Sequence, residues 1–122
     1  MHKGSCLCGA VSFELNCELK SSTHCHCKMC QKQHGAAFAT YASVPINNLH
    51  YVSGLAQLTV YKSSSNIERK FCSICGSNIE WRGSKNYPDW VSIAVGTLDT
   101  PFMPKSIKQI HTQSKVCWLE NN

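Results

Sequence analysis

Seven of the nine cysteines in this 122-residue chain fall into three tight clusters. Cys6 and Cys8 flank Leu7, Cys25, Cys27 and Cys30 share one Cys-His-Cys-Lys-Met-Cys run, and Cys72 and Cys75 form a Cys-x2-Cys turn. Cys6, Cys8, Cys72 and Cys75 make four thiolates, two from each of two distant turns. That is the donor set of a closed tetrahedral zinc site, which leaves no open coordination position and serves structure. Cys25, Cys27 and Cys30 make three ligands with no obvious fourth. A zinc with three protein ligands keeps a position for water or substrate. On spacing alone two readings of this second cluster stand side by side. One is a second closed zinc completed by His24, His26 or His34; the other is an open, catalytic zinc.

Charge narrows the chemistry of the open form. Zinc with three thiolates carries a net negative charge, so it is a poorer Lewis acid than zinc held by neutral histidines. It suits a soft ligand, an exogenous thiol kept as thiolate near neutral pH, better than hydroxide. A thiolate held there can attack a small electrophile such as an aldehyde carbon. A fourth thiolate adds a further negative charge, and Lys28, Lys32 and His34 are the local candidates to offset it or to move a proton. Arg69, just before the third cluster, is a candidate for a carboxylate near the metal or for a surface ion pair.

The segments that must position these residues read mostly as strands. Residues 10–15, 37–44, 58–61, 67–71, 78–82, 90–95 and 106–112 are rich in strand formers or alternate in part. The Ser63-Ser64-Ser65-Asn66 turn predicts a hairpin between the third and fourth of these. Residues 90–95, the most apolar, are expected at the centre of a sheet, and 106–112 at its close. One short helix is expected over Cys27–His34, capped by Gly35, which would place Cys30 one turn after Cys27. Phe38 and Tyr41 follow on the next strand, where alternation sends one to the core and leaves the other for a pocket. Trp81, Trp90 and Trp118 read as packing residues, and Cys17 and Cys117 as small apolar ones.

Length and composition set the frame. The chain is expected to form one domain, residues 1–122, with a modest core that a zinc cross-link would help considerably. No apolar run is long enough to span a membrane, and the start has no signal-peptide core. A reducing cytoplasm is therefore expected, where clustered cysteines bind metal rather than pair as disulfides. The formal charge is +5. Filling both sites with zinc would lower it to about +2, and the basic residues form no run. Nucleic acid is accordingly not an expected partner.

The ordered set of motifs resembles a known family. Gly4-Ser5-Cys6-Leu7-Cys8-Gly9-Ala10-Val11 is similar to its N-terminal zinc half-site. Cys25 to Cys30 followed by His34-Gly35-Ala36-Ala37-Phe38 is similar to its central motif. Arg69-Lys70-Phe71-Cys72-Ser73-Ile74-Cys75-Gly76-Ser77 is similar to the second half-site, and Gly96-Thr97-Leu98-Asp99 and Lys115-Val116-Cys117-Trp118 also fit. The family is that of the glutathione-dependent formaldehyde-activating enzymes, which also holds proteins similar to centromere protein V. The resemblance runs from about Gly4 to Trp118.

It implies a mainly β, antiparallel fold of the β-tent type, with zinc knuckles and one short helical turn. It implies a structural zinc on Cys6, Cys8, Cys72 and Cys75, and a catalytic zinc on Cys25, Cys27 and Cys30. The activity implied is condensation of glutathione with formaldehyde to S-hydroxymethylglutathione, classed in reverse as a carbon–sulfur lyase. The partners implied are a small thiol such as glutathione and a small electrophile. Departures are Gln31 in place of a basic residue, Gln109 in place of a histidine, and a shorter chain with less surface to grip a tripeptide. His111 is expected on the same strand face as Gln109. The rival readings are a non-enzymatic module that binds a protein, with the second zinc closed or without a pocket, and a nucleic-acid module with a continuous basic face.

Overall fold

A computed structural model describes residues 1–121, with side chains described through Leu119. Strands dominate: β1 (His2–Ser5), β2 (Ser12–Leu15), β3 (Ser21–Cys25), β4 (Ala39–Pro45), β5 (Leu49–Ser53), β6 (Leu58–Lys62), β7 (Glu68–Cys72), β8 (Asn78–Arg82), β9 (Trp90–Ala94) and β10 (Ser106–Ile110). Among the described residues α1 (Lys28–His34) is the only α-helix. The strands form a three-stranded sheet, β1-β2-β5, and a seven-stranded sheet, β10-β3-β4-β9-β8-β7-β6. Neither closes on itself, and the fold is mainly β, as expected.

Most of the expected elements form. Residues 58–62 and 68–72 make the hairpin, with Leu58 opposite Cys72. β9 lies fourth of seven and is the centre of its sheet. Helix α1 starts at Cys27, whose sulfur accepts the Cys30 N–H, and stops at Gly35, which adopts the left-handed conformation. The run expected from Ala10 begins only at Ser12, because Ala10 and Val11 belong to the turn that presents Cys6. There the Cys6 N–H bonds the Val11 carbonyl, and the Val11 N–H bonds the Cys6 sulfur at 3.2 Å.

Three strands had no clear sequence signal: β1, β3 and β5. The Ser-Ser-Thr-His-Cys run of β3 is polar, yet it is held between β4 and β10. Pairing on both sides overrides weak local preference. The β3–β10 ladder is parallel, an exception to the expected antiparallel arrangement, with Ile110 opposite Cys25.

The main core lies where the two sheets meet. Phe13, Leu15 and Leu49 come from the small sheet, and Ala42, Val44, Cys72, Ile79, Val91 and Ile93 from the large one. Full burial of each large aliphatic or aromatic residue contributes roughly 1.5–3 kcal/mol. One carboxylate sits in this apolar layer. Glu80 is buried and accepts from the Tyr51 hydroxyl and the Arg82 Nε, with the Lys70 ammonium 3.7 Å away. These partners compensate its charge and tie the small sheet to the large one. Trp81 packs beside the central cysteines, whereas Trp90 and Trp118 are exposed, and so is Cys117.

Candidate metal centres and the cavity beside the second

The first centre is built from two turns. Val11 completes the turn after Cys6 and Cys8, and Gly9 takes φ +82° to let it close. The second turn follows β7. Its Gly76 takes φ +80° and bonds back to the Cys72 carbonyl at 2.8 Å. Ser77 joins the two turns: its hydroxyl accepts the Leu7 N–H at 2.9 Å and lies 3.3 Å from the Cys75 sulfur.

The four sulfurs of Cys6, Cys8, Cys72 and Cys75 lie within 4.8 Å of one another. Cys6 and Cys8 are 3.6 Å apart, and Cys8 and Cys72 3.8 Å. Ligands about 2.3 Å from a tetrahedral zinc would stand about 3.8 Å apart, so the donor set fits that ion. The Ser77 hydroxyl and backbone N–H bring the Cys75 thiol down to about 5.

The second centre rests on the opposite face of the large sheet. Cross-strand register puts Cys25 beside Ala39, Thr23 beside Tyr41, Ser43 beside Ser92, Ser92 beside Trp81, and Trp81 beside Arg69. Alternation then places Thr23, Cys25, Tyr41, Ser43, Ser92, Trp81 and Arg69 on one face. They line a cavity of about 250 Å³ with Cys27 and Cys30 from the start of α1, and with Ile110 and His111. A larger cavity of about 420 Å³ shares Ser43, Trp81 and Ser92 with it and extends to Tyr87, Trp90 and Lys108.

The sulfurs of Cys25, Cys27 and Cys30 also lie within 4.8 Å of one another. Among the described residues no further His, Cys, Asp or Glu joins either group. The three histidines weighed as a fourth ligand each have one ring nitrogen bonded elsewhere, and none joins the three sulfurs. His24 bonds the Thr40 hydroxyl at 3.0 Å, His34 bonds the Tyr41 hydroxyl at 3.0 Å, and His26 bonds Gln109 Oε1 at 2.6 Å. Phe38 packs on the rings of His24 and His26, leaving Tyr41 to the cavity.

The charge partner of this cluster is one that local spacing did not reveal. Lys28 and Lys32 are exposed on α1. Arg69 is instead buried, at 4% exposure, and donates to the Cys30 sulfur from both terminal nitrogens, at 3.6 and 3.7 Å. Gln33 Oε1 and the Ser63 hydroxyl hold the rest of its guanidinium at 2.9 Å each. Among the described residues neither a carboxylate nor a surface ion pair is its partner. Cys25 and Cys30 shift in opposite directions. The Cys30 thiol beside Cys25 lowers the Cys25 value, and the same contact, with burial, raises that of Cys30. Three thiolates this close need a cation, and three sulfurs with a buried guanidinium on one of them fit zinc.

The two glutamines that depart from the resemblance secure the central turn. Gln31 donates to the carbonyls of His26 and Ser114, at 2.7 and 2.9 Å, while Gln109 holds the His26 ring. His111 does not share the face of Gln109, contrary to expectation. The strand ends at Ile110, and His111 takes a left-handed backbone, φ 55°.

Comparison with known proteins places this arrangement. Residues 1–114 match the family described as glutathione-dependent formaldehyde-activating enzyme. A Halomonas elongata protein named "Putative glutathione-dependent formaldehyde-activating enzyme" is 28% identical, over 97% of this chain and 79% of that one. Proteins of the same name from Podospora anserina and Talaromyces marneffei are 29% and 25% identical. Each of those matches covers 68% of this chain, and the chain spans only 40% and 44% of their lengths. In fold it is similar to a crystal structure of a Rhodobacter sphaeroides protein, with a TM-score of 0.70 at 24% identity, covering 87% of this chain and 99% of that one.

Proposed function

The chain belongs to the glutathione-dependent formaldehyde-activating enzyme family, and from that premise we propose that it is a zinc-dependent enzyme of the carbon–sulfur lyase type. Its substrates are a small thiol such as glutathione and a small aldehyde such as formaldehyde, joined as an S-hydroxymethyl adduct. We read residues 1–122 as one domain working in a reducing cytoplasm. Cys6, Cys8, Cys72 and Cys75 hold the structural zinc, and Cys25, Cys27 and Cys30 the catalytic one.

The observation that carries this reading is the cavity. The three central sulfurs open onto it without a fourth His, Cys, Asp or Glu among the described residues. A closed structural site would not need such a space, nor would a module without a substrate. A zinc ion bound there supplies a soft cationic centre that favours the thiolate form of an incoming thiol. The chain's own residues do the rest. Arg69 fixes the Cys30 sulfur and offsets negative charge in a place water scarcely reaches. Cys27 caps α1 with its sulfur, which fixes the spacing of Cys27 and Cys30. Tyr41 and Trp81 form walls, and burial pushes the Tyr41 phenol up so that it stays protonated.

The test is zinc content together with adduct formation. Wild-type protein is expected to hold two zincs and to speed the appearance of S-hydroxymethylglutathione from glutathione and formaldehyde, followed by NMR. Cys27→Ser is expected to hold one zinc and to give only the uncatalysed rate. Equal rates with and without fully metallated wild-type protein would sink the reading and move a non-enzymatic binding module ahead.

A further inference from the structure

His111 stands out on three counts. It is the only described residue other than glycine with a positive φ. Such a backbone is uncommon for a residue with a side chain. It follows Ile110, which lies opposite Cys25 in the parallel β3–β10 ladder. In a continuing strand Ile110 and His111 would point to opposite faces of the sheet. Both line the cavity of the three cysteines instead. The left-handed turn thus breaks the alternation at the step that brings His111 to the cavity lining. Gln109 meanwhile keeps to the other face, on the His26 ring.

Among the described residues no other histidine lines the cavity wall. Arg69 is spent on Cys30, Gln33 and Ser63. The Tyr41 phenol oxygen is bonded to the His34 ring. Histidine is the side-chain type suited to accept and return a proton near neutral pH. No hydrogen bond or ion pair among the described residues fixes the His111 ring; its carbonyl alone is used, by the Ser114 N–H at 3.0 Å. The residue is exposed, which suits exchange with solvent.

We propose that His111 is a catalytic residue of the adduct-forming reaction, carrying the proton between the thiol sulfur and the aldehyde oxygen. This rests on the function proposed above. In the forward direction the thiol proton passes to the imidazole, and the sulfur lone pair forms the carbon–sulfur bond. The carbonyl π pair moves onto oxygen, and the imidazolium returns the proton there. In reverse the hydroxyl proton goes to the imidazole, the carbon–sulfur bond breaks, and the sulfur recovers a proton. No other reactant is consumed.

The experiment compares wild type with His111→Gly and His111→Asn, all zinc-loaded and checked for equal zinc content. Both replacements tolerate the left-handed backbone, so the imidazole is removed without forcing the turn. Loss of a positioned acid–base group lowers rates by roughly 10²–10⁴-fold. Adduct formation from glutathione and formaldehyde is expected to fall by at least about 100-fold in both variants. Free imidazole should restore part of it in His111→Gly. The His111 ring signals of wild type should also shift on adding glutathione alone. A wild type that does not catalyse overturns this proposal together with the function beneath it. A wild type that catalyses beside an equally fast His111→Gly overturns the role of His111 alone. So does a slow His111→Gly that imidazole fails to rescue, or a ring signal that ignores the thiol.

Discussion

Arg69 and Cys30 are 39 residues apart, yet two nitrogens of the guanidinium reach the thiol sulfur, at 3.6 and 3.7 Å. One lies on β7 and the other in the first turn of α1, so the bond joins the helix to the strand next to the β6 edge of the large sheet. A planar fork can offer two donors to one sulfur while a third serves Ser63 and a fourth Gln33. Lysine has no such geometry. Arg69→Met should weaken zinc at the central cluster by about 10–100-fold, the usual effect of losing a partner that orients a ligand. Arg69→Lys should recover only part of the loss. Competition with a graded chelator, read separately for each zinc, measures both; equal zinc affinity in all three proteins would refute the role.

The two cysteine clusters should fail in different ways. Cys72 is fully buried and its turn sits against the main core. Cys72→Ser should release the zinc that joins residues 6–8 to residues 72–75 and cost several kcal/mol, which is of the order of the whole stability of a small domain. Cys27 is only partly buried, at the edge of the smaller cluster. Cys27→Ser should lose one zinc and keep the fold. Thermal unfolding of the two variants checks this, with Cys72→Ser expected to show no cooperative transition at the wild-type midpoint.

Gly54 is a place where a single methyl should be costly. Its φ is +85°, and an added Cβ would fall 2.3 Å from the Ala10 carbonyl oxygen and 2.7 Å from the Val11 Cα. Both neighbours are backbone, and both belong to the turn that presents Cys6. Gly54→Ala should therefore destabilise by more than the roughly 1–2 kcal/mol of an unfavourable left-handed backbone alone. Gly35 is the control, with φ +58° and nothing within 4 Å of a new Cβ. Gly35→Ala should cost only that conformational term. Denaturant midpoints of the two variants give the comparison.

Acid should find His34. Burial pushes its value below the ordinary 6.5, and the nearby Arg69 charge adds to the effect. A histidine held neutral in the folded state binds its proton more readily once unfolded. The folded state is therefore unpenalised above about pH 6.5 and loses stability as the pH falls below it, until folded His34 also titrates. His34→Gln removes the titration. The stability gap between wild type and this variant should shift against wild type between pH 7.5 and pH 5. A constant gap would exclude His34 as a source of acid sensitivity. Comparing the two proteins cancels the loss of zinc that acid causes in both.

Both cysteine groups were legible because metal ligands announce themselves by short spacing, as in Cys25-x-Cys27-x2-Cys30. The capped helix and the 58–72 hairpin were legible too, each marked by local chemistry at Gly35 and at residues 63–66. What escaped depended on distance along the chain. Arg69 looks like any surface cation until β7 is laid beside β8 and α1 packs over it. Strand β3 carries no strand-like composition and is made a strand by β4 and β10. The placement of His111 hangs on a single left-handed residue, which neither period nor composition signals.

The parallel ladder between β3 and β10 also has a meaning for how the molecule comes into being. Cys25, Cys27 and Cys30 leave the ribosome early, while Ile110 and His111, which flank them in the finished fold, are made much later. During that interval the three thiols lack one of their walls. Any ion that the three thiols met before synthesis reached β10 would find the cavity without that wall, so the order of synthesis bears on which metal such a site could hold.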